Sequence, residues 1–220
     1  MLTAFTASLL LITISELGDK TFFIAVILAM RHPRRIVFSA VLAALAVMTI
    51  LSVLLGQTLA LFPKIYIHYG EIALFLLFGI KLIYDASKMS AKSEDAVVQE
   101  AKEAVETQDS PNYITKLPIF GQFLGEILSR FLWLGVWTQA FVMTFIGEWG
   151  DRTQISTIAL AAAYNPVFVT LGAILGHGIC TAIAVIGGRL IAGRISERVI
   201  TASGGVLFII FGVTAYFQGV

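Results

Sequence analysis

The sequence predicts an all-α polytopic membrane protein, with six transmembrane helices arranged as two inverted three-helix repeats. Three observations carry this expectation. Of the 220 residues, 58% are hydrophobic and only 13% are charged, about half the charged share of an ordinary soluble chain. So few charges cannot cover a water-facing surface, which makes the bilayer the main solvent. Six apolar stretches are each long enough to cross it, at about 20 residues per crossing. One charged hexapeptide then occurs twice, as Glu16-Leu17-Gly18-Asp19-Lys20-Thr21 and Glu148-Trp149-Gly150-Asp151-Arg152-Thr153.

The expected spans are 3–30, 36–61, 67–86, 133–162, 167–190 and 199–218. The first has the apolar character of a signal peptide. It lacks a basic leader and a small-residue cleavage site, and its pattern runs on to Met30, so it reads as a retained membrane helix. No transit-peptide pattern is expected either. Pro33, Pro63 and Asn165-Pro166 mark short turns. Residues 153–188 carry no charge, too long a run for one helix, and Asn165-Pro166 divides it.

Between the third and fourth spans lies the polar region 87–117. Its stretch 91–106 is rich in Ala, Glu and Lys, which suits a solvated helix and equally suits disorder. Residues 119–131 set Glu126 and Arg130 among regularly spaced apolar residues, the pattern of an amphipathic helix lying on the membrane surface. The chain thus divides into a first repeat over 1–86, a polar loop with its surface helix over 87–131, and a second repeat over 132–220.

Basic residues set the orientation. Arg31, Arg34, Arg35, Lys88, Lys92, Lys102, Lys116, Arg189, Arg194 and Arg198 all fall in loops of one side, and Lys64 alone in a loop of the other. The positive-inside rule puts the polar loop in the cytoplasm and both termini outside or in a lumen.

The repeat extends beyond the hexapeptide. A shift of 132 takes Glu16 to Glu148, Asp19 to Asp151, Met48-Thr49 to Cys180-Thr181 and Gly56 to Gly188. A shift of 133 takes Pro33 to Pro166 and Phe78-Gly79 to Phe211-Gly212. Three spans per half is an odd number, so the halves lie inverted in the membrane, the arrangement that places a substrate site near the midplane.

Glu16 and Glu148 fall halfway along their spans, where an unpaired carboxylate costs several kcal/mol. On a continuous helix, Glu16 and Asp19 share one face, as do Glu148 and Asp151. Four carboxylates then meet around one cavity. Lys20 and Arg152, each four residues after its glutamate, are expected to pair with Glu16 and Glu148 and leave a net charge of −2. One divalent cation or two protons would match that. Gly18 and Gly150 permit a local unwinding that frees carbonyl oxygens. Thr21, Thr49, Ser52, Thr153, Gln154 and Thr181 offer neutral oxygens, and an all-oxygen shell suits calcium, manganese or magnesium. His177, near Thr181, is a further candidate for the ion or proton path, or else a helix-contact hydrogen bond. Cys180 reads as a small apolar packing residue. The competing view is that the charges only fix helix register.

At these residues the chain resembles the GDT-type cation/proton exchangers, long known only as an uncharacterised membrane family. Their signature, E-x-G-D-[KR]-[ST] in two copies, stands unbroken at Glu16–Thr21 and Glu148–Thr153. The resemblance covers both hydrophobic halves and leaves out the central loop. It implies exchange of manganese or calcium against protons, with Glu16, Asp19, Glu148 and Asp151 as metal ligands. Leu2 to Ser90 looks most like the cyanobacterial branch, for which the resemblance implies manganese export from the cytoplasm across a plasma or thylakoid membrane. No enzyme activity, bound cofactor or nucleic-acid partner is expected. The lipid bilayer is the expected surrounding, and a homodimer is left open. The alternatives are a divalent-cation channel without proton coupling and a structural or assembly protein of the membrane.

Overall fold

The computed structural model of the protein describes residues 2–89, 91–108, 132–191 and 197–219. Among them lie nine helices and no strand: α1 (Leu2–Glu16), α2 (Lys20–Arg31), α3 (Arg34–Leu59), α4 (Lys64–Lys88), α5 (Ala91–Gln108), α6 (Leu132–Gly147), α7 (Arg152–Ala163), α8 (Pro166–Ile191) and α9 (Glu197–Gln218). Four of these, within α3, α4, α8 and α9, are long and apolar enough to cross a membrane, and α1 and α6 are shorter apolar helices. The expected surface helix over 119–131 and the end of the polar loop lie outside the described residues.

The boundaries of four spans match the expectation to within a few residues. Pro33 and Pro63 stand immediately before α3 and α4, and Asn165 caps α8 by accepting from the amides of Val167 (3.1 Å) and Phe168 (3.4 Å). The first and fourth spans differ. Each is two helices, broken inside the repeated motif. The apolar pattern runs through the break, so periodicity alone reads it as one helix.

The two halves pack into each other. The first helix of each half lies on the third-helix position of the other, α1 on α8 and α6 on α3, and α3 also packs on α7 and α8. The last helices of the halves, α4 and α9, form a close pair. A Cβ on Gly205 would stand 2.9 Å from the Gly79 carbonyl oxygen, and one on Gly79 would stand 2.9 Å from that of Gly205. Two backbones approach this closely only through glycine. Leu77, Ile80 and Ile210 are exposed on the outside of this pair, as lipid-facing residues would be.

The packing is not symmetric. α4 leans on α7, while its counterpart α9 leans on α1 and not, as an equivalent arrangement would require, on α2. α5 packs on α2 instead. The polar-loop helix is therefore not solvated all round. Ala101 and Val105 are buried with Phe22, Phe23 and Ala140, and Glu100 and Glu106 reach Lys20 and Arg31 of α2. Glu100, Lys102, Glu103 and Glu106 stay exposed while Ala101 and Val105 face inward, so this part of α5 docks without burying a carboxylate.

Candidate metal centre

Both copies of the motif fold the same way. Glu16 ends α1 and Glu148 follows α6. The chain then turns through Gly18 and Gly150, both at φ +80°. That left-handed backbone costs an L-residue about 1–2 kcal/mol, so glycine fits the position. The turns close with the amide of Asp19 on the Glu16 carbonyl and that of Asp151 on the Glu148 carbonyl, each at 3.3 Å.

The aspartates are extended and serve as N-caps. Asp19 accepts from the Lys20 amide at 2.7 Å; Asp151 accepts from the amides of Gln154 at 2.7 Å and Thr153 at 3.2 Å. Two helix N-termini thus open at the two breaks, where negative charge is favoured.

The break overturns the expected pairing. Glu16 to Lys20 and Glu148 to Arg152 are not helical i, i+4 neighbours, because no helix joins them. Lys20 pairs with Glu100 of α5, and Arg152 Nη2 lies 3.6 Å from Asp19 Oδ2 in the other half. With Lys20 turned away to Glu100, the four acids keep only Arg152, a net −3 when all are ionised instead of the expected −2.

Nor do all four acids converge. Glu16, Glu148 and Asp151 each bring a carboxylate oxygen within 4.8 Å of the others, and both glutamates are 3% exposed. Asp19 stands outside this trio and faces Arg152. Buried Thr153 stands between the two glutamates, approaching Glu16 and donating to Glu148 Oε2 at 3.5 Å, and buried Thr21 reaches across to Glu148. Thr153 Oγ1 also donates to Asp151 Oδ2 at 2.7 Å.

His177 of α8 joins the site, with Nδ1 at 3.6 Å from Glu16 Oε1. Both atoms are buried and have no hydrogen-bond partner. Orphaned buried polar atoms are costly, and these two face each other beside the acid trio, so the donor set fits a cation. Thr181 and Thr21 line a small cavity next to Glu16.

Other expected oxygen donors are engaged locally. The hydroxyls of Thr49, Ser52 and Thr181 each donate to the carbonyl four residues earlier at 2.8 Å, which leaves lone pairs free. Gln154 serves the turn: its Oε1 accepts from the Gly150 amide at 2.7 Å and its Nε2 rests 3.5 Å from Met48 Sδ. Cys180 is buried as expected and its thiol meets the Thr13 carbonyl at 3.0 Å. Sequence reasoning missed Glu100, which looked like one loop charge among many, and Glu71, a buried acid in α4 whose only signal was a carboxylate inside an apolar span.

Comparison with known proteins identifies the framework. The family model described as divalent cation/proton antiporter GDT1 matches residues 4–90 and 136–220. The chain is 52% identical over 216 residues to a GDT1-like protein of the cyanobacterium Synechocystis sp., covering 98% of each chain. It is 43% identical over 216 residues to GDT1-like protein 3 of Oryza sativa subsp. indica, covering 97% of this chain and 74% of that one. It is 41% identical over 225 residues to GDT1-like protein 5 of Arabidopsis thaliana, covering 97% and 95%. No solved structure matches. Both matched stretches contain one copy of the motif and its broken helix, and on that match the chain belongs to the GDT1 family of divalent cation/proton antiporters.

Proposed function

We propose that the protein exports manganese from the cytoplasm in exchange for protons, with calcium as a second substrate, by alternating access at the acid trio. The observation that carries this is the convergence of Glu16, Glu148 and Asp151 within 4.8 Å at the broken helices of the two halves. Carboxylates and hydroxyls suit a hard divalent ion, and His177 beside Glu16 adds a nitrogen donor that favours manganese over calcium. The same carboxylates take protons when the ion leaves, so ion and proton compete for one set of oxygens. Asp19, paired with Arg152, stays outside the ligand set in our reading and supports the site from its edge. Thr21, Thr153 and Thr181 supply neutral oxygens.

We further propose six crossings, with α1–α2 and α6–α7 each forming one broken span, in two inverted repeats over 1–86 and 132–220 joined by the loop 87–131. The equal turns at Gly18 and Gly150 support this. The basic loops support a cytoplasmic polar loop, with both termini outside or lumenal, in a bacterial plasma or thylakoid membrane. The asymmetric lean of α4 on α7 and α9 on α1 supports two alternating arrangements of the halves.

The test is metal-dependent proton flux in proteoliposomes, comparing manganese, calcium and magnesium. Glu16→Gln and Glu148→Gln should each abolish exchange. Normal manganese/proton exchange by either variant would overturn the site. Ion movement that a pH gradient cannot drive uphill would favour a channel instead.

A further inference from the structure

The bundle end that carries the α3–α4 turn, the α7–α8 turn and the end of α9 opens into a cleft of about 330 Å³. Glu71 stands in its wall on α4, only 4% exposed, and its Oε1 has no hydrogen-bond partner. Among the described residues it has no ion-pair partner. A buried carboxylate in this condition needs a proton or a cation to complete it.

The neighbouring groups favour the proton. Tyr164, at the end of α7, brings its hydroxyl to the Glu71 carboxyl, and the same hydroxyl donates to Gln218 Oε1 at 3.3 Å. A phenol has one proton to give. When Gln218 takes it, the phenol oxygen can only accept, and Glu71 meets it only as the protonated acid. When the phenol turns to Glu71, it serves the carboxylate. The other titratable groups in the wall are Lys64 and His68, from Glu71's own helix. Among the described residues, the α3–α4 turn and α9 contribute Ala60, Ala215 and Gln218, and no charge. A resident divalent ion would find one carboxylate and a lysine here, a poor donor set beside the acid trio.

The buried acid belongs to one half only. The repeat shift that takes Phe78-Gly79 to Phe211-Gly212 takes Glu71 to Gly204. The cleft is also joined to the acid trio by one rigid element: α7 begins beside Asp151 and ends beside Tyr164, about 18 Å of helix at 1.5 Å per residue.

We propose that Glu71 is a proton-binding residue of this cleft, loading the counter-ion from the solution at the face opposite the polar loop. A hydronium ion in the cleft gives its proton to Oε1: one O–H bond breaks as one forms, and a water molecule is released. This rests on the exchanger reading given above for its role in transport, though not for the protonation itself.

Two measurements on the full chain in liposomes test it. Infrared difference spectra on stepping the pH should show a protonated-carboxyl C=O band that Glu71→Gln removes and Tyr164→Phe shifts. Exchange should change several-fold with pH on the cleft side in the wild type and by clearly less in Glu71→Gln, where only the acid trio still binds protons, with the apparent manganese affinity at the opposite face unchanged. Glu71→Asp should restore the pH dependence, which separates titration from a packing defect. An unchanged band together with an unchanged pH profile in Glu71→Gln would overturn the proposal. If the wild type does not exchange manganese for protons, the exchanger reading fails, and the infrared band still decides whether Glu71 binds the proton.

Discussion

Replacing the two motif aspartates one at a time separates three jobs that the sequence gives them equally. Asp151 caps α7 through two amides and belongs to the acid trio, whereas Asp19 caps α2 and faces Arg152. Asparagine keeps the cap and removes the charge; alanine removes both. A lost cap costs about 1 kcal/mol, so Asp151→Ala should lower thermal stability by that amount and Asp151→Asn should not. The ion should discriminate more sharply. Two unit charges at 4.8 Å repel by about 3.5 kcal/mol at an effective dielectric constant of about 20, so the ionised trio is held together only by a cation or protons. Loss of one of its three charges should weaken manganese binding by about 100-fold or more, at least the effect of removing a supporting partner at a metal site. Asp19→Asn breaks a part-exposed pair worth about 0–1 kcal/mol, which limits its effect on the ion to about fivefold. Calorimetric titration of manganese into the purified variants, with thermal unfolding beside it, reads both quantities. Equal losses of affinity in Asp19→Asn and Asp151→Asn would refute the trio and favour a symmetric four-acid site.

Other predictions follow from the breaks and the packing. Gly150→Ala, which meets no neighbouring atom within 4 Å but must hold φ +80°, should lose about 1–2 kcal/mol of stability from backbone strain alone, measured by thermal unfolding. Gly172→Ala places a Cβ 2.1 Å from Ser8 Oγ and 2.4 Å from the Phe5 carbonyl oxygen; it should separate α8 from α1 at a cost of about 1–3 kcal/mol, visible as lower yield and melting temperature. On α5, Glu100→Ala removes only an exposed pair with Lys20 and should change stability by about 0–1 kcal/mol. Ala101→Asp puts a charge on the buried face and should release α5 from α2, read as faster proteolysis of the 91–108 segment. His177→Gln should shift the manganese-to-calcium preference of exchange towards calcium, and an unchanged ratio would remove His177 from the ion's ligand set.

Much of the architecture is legible in the chain. Apolar run lengths and Pro33, Pro63 and Asn165-Pro166 place the long helices, because the bilayer and the proline ring act locally. The doubled motif locates the candidate site, and its glycines mark where the helices break. The consequences of that unwinding were not legible. Helical spacing pairs Glu16 with Lys20, and the spacing holds only while the helix does.

The sequence by itself determined that the chain must live in a bilayer, that it is built twice, and that an acid stands inside the first apolar stretch of each half. Those properties depend on composition and on the order of residues along single segments. Only the tertiary structure decided which acids meet, that Lys20 turns to Glu100 and Arg152 to Asp19, and that Glu71 of one half stands with Tyr164 of the other in a cleft between them. These depend on contacts between segments far apart in the chain. They follow from packing the two repeated halves against each other, with α5 taking the flank of α2 that symmetry would have given to α9.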